Sequence, residues 1–135
     1  MDKKTIELDF SESIAAMNQS GIVVKLIQLQ TQFKIFHWQT FSFAHHNAFG
    51  GLYDALSESI DEFVETYQGI YGRFDFGGTS FSMTNLSDAD FISILNDNIQ
   101  TLTQYEMIFN NTDLLNIRDE ILGSINRTKY LLTLN

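Results

Sequence analysis

Apolar residues return every three or four positions along four stretches of this chain, the spacing that lines one face of an α-helix. In the first stretch, Val23, Leu26, Ile27, Phe33, Ile35 and Phe36 predict a helix over about 19–39, with Ser20 as a candidate N-cap. Gln39 to Ala44 breaks the pattern and reads as a turn. Leu52, Ala55, Leu56, Ile60, Phe63, Val64 and Tyr67 predict a second helix over about 45–71, ended by Gly69 and Gly72. Gly50 and Gly51 weaken its first turns by about 1 kcal/mol each relative to alanine. Phe91, Ile94, Leu95, Ile99, Leu102, Tyr105, Ile108 and Phe109 carry a third helix over about 87–110, started by the Ser87–Asp90 cluster. Asn110 to Asp113 supplies a turn and an N-cap for a fourth, over about 113–133. Ahead of them, Ile6, Leu8 and Phe10 alternate with polar residues, as in a short extended arm; Asp9 or Ser11 capping a helical turn through Ile14–Met17 is the other reading.

Between the second and third helices lies an irregular stretch of about 15 residues, whose aromatic side chains are expected to pack across the helices. Two helical hairpins joined by one long crossover make an all-α, ferritin-like four-helix bundle, a single domain over residues 1–135. The chain has no proline, which leaves it free to be mostly helical, and its 44% apolar content suits a folded domain. Without cysteine there are no disulfides, thiolate zinc sites, iron–sulfur clusters or cysteine nucleophiles. The opening residues lack the apolar stretch of a signal peptide and no membrane-length apolar run occurs, so a cytoplasmic protein with no membrane partner is expected.

Charge narrows the chemistry. Eight Lys and Arg stand against 17 Asp and Glu, a net −9, which attracts cations and repels phosphate backbones. All three histidines, His37, His45 and His46, fall within ten residues, at the end of the first helix and the start of the second. The turn between them returns both ends to one end of the bundle, where His37 and a later histidine can approach. A half-buried histidine beside Trp38 is the plainer reading of that pair. The second helix then carries Asp54, Glu58, Asp61, Glu62 and Glu65. Asp61 and Glu65 share a face one turn apart and suit a shared metal, although a solvated acidic face has the same pattern.

Distance decides how these groups can combine. Fifteen residues of helix separate His46 from Asp61, about 22 Å. Histidines and acids can therefore meet only between two chains packed antiparallel about a two-fold axis, which would create two identical sites. A di-iron site inside one bundle needs carboxylates on four helices and Glu-x-x-His on two, yet no histidine follows His46.

The run Lys34-Ile35-Phe36-His37-Trp38-Gln39, followed by His46, Phe49, Leu52, Tyr53, Leu56 and then Ile60-Asp61-Glu62 and Glu65, resembles the Dps-type mini-ferritins. The specific matches cover about residues 34–65, a quarter of the chain. The resemblance implies that His37 and His46 of one subunit bind iron with Asp61 and Glu65 of a two-fold mate, with Trp38 beside the site. It implies oxidation of Fe(II) by peroxide or oxygen, and ferric mineral stored in a homodimer-based shell, usually a dodecamer. Imidazole and carboxylate are suitable ligands for that chemistry. Asp54 and Glu58 are candidates for a mineral-nucleating surface. The turn before His46 is about three residues shorter than is usual in the family, which keeps His45 open as an alternative ligand. Where the family generally has an acid one turn after the second histidine, this chain has Gly50, which leaves open whether one iron or two is held.

Direct DNA binding is not expected, since Lys3 and Lys4 are matched by Asp2, Glu7 and Asp9 and no basic tail is present. The alternative to a ferroxidase is a catalytically degenerate ferritin-like structural or assembly protein that keeps the bundle and uses these side chains as contacts.

Overall fold

The computed structural model describes residues 19–135. Four helices form a bundle: α1 (Gln19–Gln39), α2 (Phe43–Tyr71), α3 (Phe91–Thr103) and α4 (Thr112–Leu131), with short 3-10 turns at Leu86–Asp88 and Gln104–Met107. No strand occurs among the described residues. The expected arm over residues 1–17 lies outside them.

The apolar stripes read from the sequence meet in one core. Leu26, Leu29, Phe33 and Phe36 of α1 face Phe49, Leu52, Leu56 and Phe63 of α2, and Leu95, Leu102, Ile121 and Ile125 close the other side. Phe33, Phe36 and Phe49 pack with ring centroids 5.2–5.7 Å apart, within the range where edge and tilted aromatic contacts are favourable.

Helix limits follow the caps. Ser20 lies inside α1, buried, rather than capping it. The second helix begins two residues earlier than its periodicity indicated, because the Ser42 hydroxyl accepts from His45 N at 3.1 Å. It ends at Gly72, whose φ of 93° favours glycine and whose N–H returns to Gln68 O at 2.9 Å.

The third helix departs most from the expected 87–110. Asp90 is its N-cap, accepting from Ser93 N at 3.0 Å, while Leu86–Asp88 form a separate turn. Its α-helical part stops at Thr103 and tightens to 3-10 geometry. The cause is Arg118, whose Nη1 donates to Leu102 O at 2.9 Å, the carbonyl that an uninterrupted helix would offer to Glu106 N–H. The fourth helix is shifted against the expected 113–133, starting one residue earlier and ending two earlier, with Asn111 of the expected turn in the cap position.

The connection between α2 and α3 is extended, and α1 holds its path. Gln32, itself buried, donates from Nε2 to Thr84 O at 2.8 Å and accepts at Oε1 from Thr84 N at 2.9 Å. One turn earlier, Gln28 Nε2 donates to Ser82 O at 3.2 Å. Nearer the end of α1, Gln39 Oε1 accepts from Leu86 N at 2.7 Å and its Nε2 donates to Asn85 Oδ1 at 2.9 Å. Four helical residues rise about 6 Å and two extended residues span about 6.6 Å, so Gln28 and Gln32 match Ser82 and Thr84 in step. Of the aromatics expected to pack across the bundle, Phe74 does so, stacking on Tyr67 at 4.4 Å. Phe76 and Phe81 are exposed.

Candidate functional site

The α1–α2 turn gathers all three histidines, and each is tied to the backbone of a neighbouring element. His46 Nδ1 donates to His37 O at 2.8 Å. His37 Nδ1 donates to His46 O at 2.6 Å. The rings of the two stack with centroids 3.7 Å apart and planes 19° apart. His45 turns the other way, donating from Nε2 to Leu132 O at 3.0 Å and meeting the rings of Phe49 and Phe91 edge-on.

These bonds answer a local need. The last carbonyls of a helix have no partner within it. His37 O lies in the last turn of α1, and Leu132 is the C-cap of α4. His46 and His45 therefore close two helix ends with side-chain donors. A carbonyl can only accept, so His37 and His46 carry their ring protons on Nδ1. With that tautomer the lone pair of each ring lies at Nε2, and neither Nε2 has a hydrogen-bond partner among the described residues. A ring N–H anchored on a backbone carbonyl is also how metal-binding histidines are commonly oriented.

Gly50 makes the reciprocal arrangement possible. A Cβ there would lie 2.7 Å from His37 Nδ1 and 2.9 Å from its Cε1. The ring rests directly on the α2 backbone, and the position where an acid was expected by resemblance is taken by imidazole. Gly51, its neighbour, faces open space.

The acidic residues lie elsewhere. Asp54, Glu58, Asp61, Glu62 and Glu65 are all exposed along α2. Asp61 and Glu65 start 15 positions beyond His46, and the fold does not bring them to the histidines within one chain. No cluster of three or more His, Cys, Asp or Glu side chains gathers among the described residues. Around the histidine turn the surface is aromatic: Trp38 is 69% exposed, Phe43 is 78% exposed and Phe41 is fully exposed. Lys34 Nζ lies over the rings of Tyr53 and Trp38, at 4.7 and 5.8 Å from their centroids.

Two features escaped the sequence reading. Arg118 is buried and engages all three of its nitrogens: Nη1 on Leu102 O, Nη2 on Glu106 at 2.8 Å and Nε on Asp119 at 2.7 Å. Its signal was a lone arginine at an apolar-face spacing, one residue after Ile117. The glutamines of α1 gave a weaker sign, amides at i and i+4 beside core positions.

Among the described residues no helix is long and apolar enough to cross a membrane. No solved structure matches the chain. A curated relative, described as an uncharacterized 14.6 kDa protein in the mobD-ri intergenic region of Enterobacteria phage T4, is 34% identical over 65 residues. That match covers 48% of this chain and 51% of the relative, so the chain spans about half the length of the curated relative it matches. A family described as being of unknown function, DUF5856, matches residues 37–132, from the first histidine to the end of the last helix. That match takes in most of the chain, which therefore belongs to the DUF5856 family.

Proposed function

We propose that this protein is a self-associating, ferritin-like helical bundle of the Dps type that binds Fe(II) between two copies and oxidises it with peroxide or oxygen. The observation that carries the reading is the His37–His46 pair, with both Nδ1 protons fixed on carbonyls and both Nε2 lone pairs unspent. Asp61 and Glu65 of a second copy, exposed on α2, would complete a mixed imidazole–carboxylate site. Fe(II) is the substrate here. Each peroxide takes one electron from each of two ferrous ions, and the carboxylates favour the harder ferric product. Asp54 and Glu58 extend the acidic surface that would attract the cation. Trp38 stands beside His37 at the same turn. The exposed aromatic turn supports burial against another copy, in a dimer or a larger shell such as a dodecamer.

The test is complementation. Peroxide-driven Fe(II) oxidation is measured anaerobically on wild type, His37→Ala, Asp61→Ala and an equimolar reassociated mixture of the two variants. Each variant alone is expected to lose the accelerated phase. The mixture is expected to regain about a quarter of it, because half the dimers are mixed and each carries one intact site. Oxidation unchanged by both substitutions, or no recovery on mixing, removes the inter-subunit site.

A second reading is a catalytically silent assembly protein. It is favoured by the caps themselves, since His45 and His46 already have a structural task at helix ends. Stable oligomers in light scattering, with no accelerated oxidation in wild type, would select it.

A further inference from the structure

A cleft of about 310 Å³ opens between α1 and α3, away from the histidine turn, with the extended connection forming its third wall. That volume lies at the lower end of the range for small-molecule pockets. The α1 wall contributes Lys25. Its Nζ donates to Thr101 Oγ1 at 2.6 Å, and that hydroxyl in turn donates to Asp97 O at 3.1 Å. No carboxylate among the described residues lies within ion-pair distance of Lys25, so its ammonium, with three donors, has one protein partner. Burial pulls its pKa down and attraction to Asp97 raises it only in part. The half-buried cation thus has Asp97 as its charged neighbour, but beyond ion-pair distance.

The α3 wall supplies acceptors. Asp97 lines the cleft with its carboxylate outside the two ion pairs found among the described residues. Asn98, 7% exposed, donates from Nδ2 to Ile94 O at 2.9 Å, leaving Oδ1 without a protein donor. Asn98 lines the cleft, and its Oδ1 is not fully buried, since Tyr67 holds the only fully buried polar side-chain atom without a partner among the described residues. One wall thus offers a cation with no ion-pair contact, and the facing wall offers an exposed carboxylate and a buried amide oxygen, neither with a protein donor among the described residues.

We infer that this cleft binds a small zwitterion of amino-acid size, its carboxylate on Lys25 and its ammonium on Asp97 and Asn98 Oδ1. A carboxylate alone satisfies one wall, and an amine alone the other. The inference is independent of any metal chemistry at the histidine turn.

The test is a titration of the isotope-labelled full chain with the standard α-amino acids and with ω-amino acids from glycine to 6-aminohexanoate. Propionate and propylamine serve as single-charge controls. The side-chain amide of Asn98 and the backbone amides of Lys25 and Asp97 are followed by NMR. At least one zwitterion is expected to shift all three saturably, and to bind about tenfold or more tightly than either control. Lys25→Met and Asp97→Asn are each expected to weaken that binding about tenfold or more, while Lys25→Arg retains most of it. Spectra dispersed as in wild type show that the variants are folded. No saturable shift with any zwitterion, equal binding of propionate, or variants that bind as wild type would each overturn the proposal. Should Lys25→Met not fold, Asp97→Asn with the two controls decides alone.

Discussion

The two ends of the bundle meet the same requirement by different means. At one end, helix carbonyls are closed by His45 and His46; at the other, Leu102 O is closed by Arg118. The arginine has all three nitrogens engaged and, as a guanidinium, has no lone pair to offer. A histidine donates from one nitrogen and keeps the other, so a capping histidine can also be a ligand. The far end packs Phe63, Tyr67, Phe74, Tyr105 and Phe109 into one aromatic cluster with Tyr71 and Phe76 exposed at its edge, whereas the histidine end exposes Trp38, Phe41 and Phe43. At the far end the Tyr67 hydroxyl is the one fully buried polar side-chain atom without a partner among the described residues. The histidine end keeps two Nε2 atoms without a hydrogen-bond partner among the described residues and leaves its rings uncovered.

The sharpest break in this comparison is expected from Arg118→Met. Its carboxylate partners are exposed and regain water, but Leu102 O keeps only the Gln104 N–H, and the packing of the buried side chain is lost. Urea unfolding should show a loss of about 2–3 kcal/mol. Next comes a glycine pair that isolates the histidine end. Gly50→Ala forces the His37 ring off α2 and should cost about 1–2 kcal/mol net. Gly51→Ala meets nothing and should stabilise by up to about 1 kcal/mol. Equal effects from the two would show that the His37 seat is not rigid. His45→Phe keeps an aromatic ring near Phe49 and Phe91 but loses the bond to Leu132 O, and should cost about 1 kcal/mol.

The smallest effect concerns alkaline pH at the far, aromatic end. Burial holds the Tyr67 and Tyr105 phenols above their ordinary 10, with Tyr71 adding to the rise at Tyr67. Below pH 10 both are neutral folded or unfolded, and their contribution is fully present. Above it the unfolded chain ionises first, and stability falls as pH climbs toward the folded values. Lys25, lowered by burial, acts in the opposite sense as pH rises from its folded value toward 10.5. Tyr105→Phe should therefore make the fall in Tm above pH 10 shallower and leave neutral pH nearly unchanged.

Much of the helical layout was legible because it rests on periodicity. Leu26, Phe33, Leu52, Leu56, Phe63, Leu95 and Ile121 are core residues at the spacings that named the helices. The end of α3 was not legible, because Phe109 continues the apolar stripe after the α-helix has stopped. What stops it is Arg118, a tertiary partner 16 residues from Leu102. At the histidine turn, the approach of His37 to a later histidine could be read from the turn, and the separation from Asp61 and Glu65 from helix length. The role of Gly50 could not, since it depends on where a ring from another helix comes to rest. The Lys25 cleft was hidden for a similar reason: its walls are 72 positions apart in sequence and meet only through the extended connection.

That connection carries one more consequence. Gln28 and Gln32 grip the main chain of Ser82 and Thr84, and Gln39 holds the amide of Leu86. The path of the segment is thus encoded by α1, while most of the segment's own side chains are left free to vary. Relatives should be able to drift widely in sequence across this stretch yet keep its course, provided that the three glutamines stay. Mutational tolerance and structural definition are stored in different parts of the chain.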